Sequence, residues 1–102
     1  MADDIITSAI DVLDHIKNSE SVNVRFIKKD GTSRVMKCTL DFDQIPVKDL
    51  PKKVNLPSIL KLIRDHKLLH VYDLYKEEWR SIPIDRLEWL EKKGVRYRVK
   101  VE

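Results

Sequence analysis

Residues 22–40 constrain the fold of this chain more than any other stretch. Val22, Val24 and Phe26 alternate with Asn23 and Arg25, and Met36, Cys38 and Leu40 alternate with Lys37 and Thr39. An apolar period of two turns one side of each run toward a core and the other toward water. Lys28-Lys29-Asp30-Gly31-Thr32-Ser33 separates the two runs. Asp-Gly favours a tight turn, because glycine accepts the positive φ that such turns require. The pattern predicts a β-hairpin over 22–40.

The C-terminal third supplies further strands. Leu68-Leu69-His70-Val71-Tyr72-Asp73-Leu74 has apolar residues at both phases, as in a strand covered on both faces. A turn at Tyr75-Lys76-Glu77 leads to a second strand, Glu78 to Ile82, with Pro83 at its end or on a sheet edge. Residues 85–90 fit either a strand or a short helical turn. After Lys92-Lys93-Gly94, the residues Val95, Tyr97, Val99 and Val101 face one way, and Arg96, Arg98, Lys100 and Glu102 the other.

Two segments have helical spacing. Ile5, Ile6, Ala9, Ile10, Leu13 and Ile16 form one apolar face, with Asp3 or Asp4 as cap and Asn18-Ser19 as stop. Residues 41–57 lose periodicity and contain Pro46, Pro51 and Pro57, which suits a connection. A short helix follows from Ser58 through Ile59, Leu60, Leu62 and Ile63, ending at His66-Lys67.

These elements make one α+β domain over 1–102. It divides into an N-terminal amphipathic helix (1–19), the hairpin (22–40), a linker with a short second helix (41–67) and the remaining strands (68–102). Five to six short strands suit a small, strongly bent antiparallel sheet, a partial barrel with the N-terminal helix at one open end. A flatter sheet with both helices on one face is the alternative.

Composition limits the chemistry. Of 102 residues, 42% are hydrophobic and 36% charged, which describes a globular chain and not a disordered one. No apolar stretch exceeds four residues, so no membrane span is expected, and the start is acidic where a secretory signal would be basic. A cytoplasmic protein is expected. A lone cysteine, Cys38, excludes an internal disulfide and a multi-cysteine zinc site; it falls on the apolar phase, as a small hydrophobe would. Gly31 and Gly94 are the only glycines, too few for a Gly-rich phosphate loop. His66 and His70 are spaced i, i+4 but straddle a helix-to-strand boundary, His15 is distant, and no metal or cofactor is expected. Asp41 and Asp43 flank Phe42 in what reads as a solvated turn. With no acid, base and nucleophile set, the chain is expected not to be an enzyme.

Charge is where function is most legible. The net charge is +3, but residues 1–21 carry five acidic side chains against Lys17, a charge of −4. The remainder has 19 Lys and Arg against 12 Asp and Glu, a charge of +7. A basic body favours nucleic acid, nucleotides or acidic protein surfaces. Arg96, Arg98 and Lys100 stand about 7 Å apart along one strand face, close to the phosphate repeat of a single strand. Arg25 and Lys37 occupy polar phases of the hairpin, and Arg80 and Arg86 add to the basic set. Tyr72 and Trp79, together with Tyr75 and Trp89, would offer stacking surfaces where exposed. The competing reading is that the cations guard an edge strand and the tryptophans belong to the core.

Val24 through Leu40 resembles the signature hairpin of a family of small tailed-phage proteins with an Sm-like, SH3-type β-barrel fold related to the WYL domain. Val71-Tyr72-Asp73-Leu74 through Glu78-Trp79-Arg80-Ser81-Ile82 is similar to that family's second block. Arg80-Ser81-Ile82 followed by Asp85-Arg86 looks like the C-terminal pattern of ligand-sensing WYL domains, with Ile82 in place of an aromatic. Leu69-His70-Val71-Tyr72 replaces the Trp-Tyr-Leu triplet. The resemblance implies a fold and a phage origin; together with the basic strand faces it leads to the expectation of an accessory protein in the host cytoplasm, binding an anionic partner through Arg25, Arg80, Arg86, Arg96, Arg98 and Lys100. That partner would be nucleic acid or a host transcription or defence factor that handles it. Alternatives are inhibition of a host protein through the N-terminal helix or a barrel edge, and sequestration of a small nucleotide between subunits. Sm-like barrels often associate through strand edges, so a homo-oligomer also fits.

Overall fold

A computed structural model describes residues 5–50 and 56–101. The expected hairpin is present as β2 (Val22–Ile27) and β3 (Ser33–Thr39), preceded by a short β1 (Ile5–Ile6) and helix α1 (Ala9–Lys17). Helix α2 (Leu56–His66) leads into β4 (Leu68–Asp73) and β5 (Glu78–Pro83). A 3-10 turn at Ile84–Arg86 then connects to β6 (Leu87–Lys92) and β7 (Val95–Val99).

The strands form one seven-stranded sheet in the order β1-β7-β6-β2-β3-β4-β5. Five to six antiparallel strands was therefore an undercount, and the sheet is mixed, because β1 pairs parallel to β7. Geometry also excludes the flat alternative. β5 and β6 lie four strand positions apart, about 19 Å in a flat sheet at the usual spacing. The stretch from Pro83 to Leu87 can span at most about 14 Å even fully extended. The sheet must curl to bring β5 toward β6, although it does not close. β3 pairs with β4 over two positions, Cys38↔Asp73 and Thr39↔Tyr72.

Inside the curl, Val22, Val24, Met36, Cys38, Leu69, Val71, Ile82, Leu90 and Val99 form the sheet side of the core. α1 adds Val12, Leu13 and Ile16, and α2 adds Ile63. The helix is shorter than residues 1–19. Ser8 has extended backbone and its hydroxyl accepts from the Asp11 amide at 3.1 Å, so capping starts there. Ile5 and Ile6 thus belong to β1, Ile10 is left exposed, and the Asp3 and Asp4 caps lie outside the described residues. α2 starts at Leu56, ahead of the expected Ser58, with Pro57 in its first turn, where a missing amide hydrogen costs nothing. Within 41–50 only two 3-10 turns form, Phe42–Gln44 and Val47–Asp49. Among the described residues no helix is long and apolar enough to cross a membrane.

Candidate nucleic-acid interface

The face of the sheet turned away from the core is open over β2, β6 and β7. Cross-strand partners share a face, and the register sets out two rows there. The first runs Val35, Arg25, Trp89, Arg98 and Ile5 across five strands. The second runs Lys37, Asn23, Glu91 and Arg96. Trp89, half-buried, thus sits between Arg25 and Arg98, and the Arg96 guanidinium carbon lies 4.0 Å from its ring centroid. Lys100, exposed just past β7, continues the phase of Arg96 and Arg98.

Two of these arginines have carboxylate neighbours. Arg25 Nε is 3.2 Å from Glu88 Oε1, with both side chains 42% exposed, and its Nη2 donates to Ser33 Oγ at 3.2 Å. Arg96 Nη2 is 3.2 Å from Glu91 Oε2. Exposed pairs of this kind are worth at most about 1 kcal/mol and exchange readily for a phosphate. Arg98 and Lys100 make no ion pair among the described residues. Five cations (Arg25, Lys37, Arg96, Arg98 and Lys100) thus meet two carboxylates, Glu88 and Glu91, which leaves the face positive.

Not every expected residue joins this face. Arg80 shares the opposite, core-side phase with Val71 and Asp73, and it pairs with Asp73 at 3.4 Å and with Glu78. Arg86 lies in the 3-10 turn before β6, on the rim of a cleft with Lys28 and Lys29. The stacking role expected of Tyr72 fails, because its side chain is fully buried and its hydroxyl donates to Asp49 Oδ2 at 2.6 Å. Burial, reinforced by that bond, pushes its phenol up to about 12. Trp79 is half-buried, edge-on to Tyr72 at 5.5 Å, and its indole N–H donates to the Asp49 carbonyl at 2.8 Å. The Val47–Asp49 turn therefore anchors both rings. Trp89 is the aromatic that accompanies the arginines.

Remaining candidates have structural surroundings. Cys38 is buried, and burial, with the Asp73 charge beside it, pushes its thiol up to about 12, far from the thiolate a nucleophile requires. His15 lies against Tyr97 with ring centroids 4.7 Å apart and planes tilted by 44°, and His70 Nδ1 lies 2.9 Å from Ser81 Oγ. Among the described residues no group of three or more His, Cys, Asp or Glu could hold a metal ion.

A family model, WYL_2, described as an Sm-like SH3 beta-barrel fold, matches residues 9–88. No curated protein and no solved structure matches the chain. The match spans α1 through the start of β6; β7, with Arg96 and Arg98, lies beyond it.

Proposed function

The chain belongs to the WYL_2 family of Sm-like SH3 β-barrels, and on that premise we propose that it is a binding protein whose open sheet face holds single-stranded nucleic acid. The observation that carries this reading is the row in which Arg25 and Arg98 flank Trp89 while Arg96 covers its ring. Guanidinium groups grip phosphates and an indole stacks with any base, so such a row binds with little sequence preference. Arg96 must swing off Trp89 or share it with the incoming base. Binding is the whole activity, with no turnover. The phage origin and the host cytoplasm implied by the hairpin's resemblance complete this reading.

Charge reversal of Arg96 and Arg98 tests it. The double variant Arg96→Glu/Arg98→Glu should lose at least tenfold in affinity for a fluorescent oligonucleotide, while its melting temperature falls by only the few degrees expected from losing the Arg96–Glu91 pair and the Arg96–Trp89 contact. For the native chain, log affinity should fall with log salt at a slope near −2, about 0.7 for each of three phosphates. A salt-independent interaction, or full affinity in the double variant, would reject the reading. Inhibition of a host protein through α1 is the second reading, supported by the exposed Ile10 beside Asp11 and Asp14. A partner captured from lysate despite nuclease treatment, and lost in Ile10→Asp, would favour it.

A further inference from the structure

We propose that a second site, separate from the open sheet face, binds a free nucleoside monophosphate. It is a cleft of about 440 Å³ at one end of the sheet, within the usual range for small-ligand sites. Phe26, Leu68 and Pro83 give it an apolar lining able to cover a flat heterocycle. Its basic side chains come from three separate elements: Lys28 and Lys29 from the β2–β3 turn, His66 from the end of α2, and Arg86 from the 3-10 turn before β6. Asp85 is the one carboxylate in the lining.

Lys28, Lys29 and Arg86 form no ion pair among the described residues. Gathering Lys28, Lys29 and Arg86 around one hollow lined by a single carboxylate, Asp85, leaves an excess of positive charge that a bound phosphate dianion would relieve. The backbone beneath them is set in advance. Lys28 N donates to the Thr32 carbonyl at 2.7 Å, and the Thr32 amide and hydroxyl both donate to Asp30 Oδ1. On the other wall, Ile84 N donates to the Lys67 carbonyl at 2.8 Å, tying the Arg86 turn to the start of β4. A pre-formed cleft avoids ordering costs on binding. Phosphate at the cationic rim and base against Phe26, Leu68 and Pro83 is the arrangement that uses both halves of the lining.

Calorimetric titration of the full chain with AMP, GMP, CMP and UMP, with the parent nucleosides and with inorganic phosphate, tests the assignment. At least one monophosphate should bind tenfold or more tightly than both its nucleoside and inorganic phosphate. Arg86→Ala and Lys28→Ala/Lys29→Ala should each weaken it at least fivefold, while Arg96→Glu/Arg98→Glu leaves it intact, so failure here is separable from failure of the open face. All these side chains lie at the surface, and circular dichroism should show unchanged folds. Absence of monophosphate binding, equal affinity for nucleoside or phosphate, or indifference to the cleft substitutions would overturn the proposal. Tighter binding of a 5′-phosphorylated dinucleotide than of any mononucleotide would overturn the assignment to free nucleotides.

Discussion

Asp73 is fully buried at the end of β4 and serves four groups at once. Its Oδ1 accepts from the amides of Tyr75 and Lys76 at 2.9 and 3.0 Å, which shapes the turn into β5. Its Oδ2 receives Arg34 Nη2 at 3.1 Å and Arg80 Nε at 3.4 Å. Removing one member of a buried pair strands the others, so Asp73→Ala should lower unfolding free energy by about 3 kcal/mol in urea titration. Asp73→Asn, which keeps an oxygen for the amides, should cost less. Residue type marked Arg80 as a ligand for anions, but its role depends on the register Val71↔Arg80, which sets it on the face of Asp73. Register across a turn is a property of the folded pair, so the sequence pattern could not reveal it. Tyr72 failed as a platform for a similar reason, since its cover, Asp49, comes from a proline-bounded segment without periodicity.

At the scale of elements, local chemistry was readable and long-range pairing was not. The hairpin followed from alternation and from Asp30-Gly31, and Gly31 has φ +90°. A Cβ there would meet no atom within 4 Å, so Gly31→Ala should cost only backbone strain, about 1 kcal/mol by thermal melting. β6 was ambiguous for a physical reason. The register shifts between Arg25 and Phe26, so that Leu87 faces Phe26 while Leu90 faces Val24. The bulge leaves Glu88 out of the cross-strand register with β2 and places two core residues three apart, the spacing of a helix. The same shift brings Trp89 opposite Arg25, so the heart of the candidate interface depends on an irregularity that alternation hides. β1 was absorbed into helical periodicity, because its parallel bond to β7 joins chain segments more than 90 residues apart.

For the molecule as a whole, the buried Cys38 and Tyr72 make stability sensitive to alkali. Both groups are held neutral in the fold, with their protons retained up to about 12, against ordinary values of 9.0 and 10.0. The unfolded chain therefore loses these protons first, and their contribution is complete below pH 9 and declines as pH rises toward 12. Melting temperature should fall across that window, and Cys38→Ala should flatten part of the fall. Across the molecule, charge is sorted by surface: cations on the open face and at the cleft, and an acidic α1 over the core. Because both helices contribute to one side of the curled sheet, cohesion and the proposed recognition fall on opposite sides of the same strands. On the proposed function, substitutions along the bare side would alter what is recognised without loosening what is packed, so contacts could be redrawn on an unchanged frame.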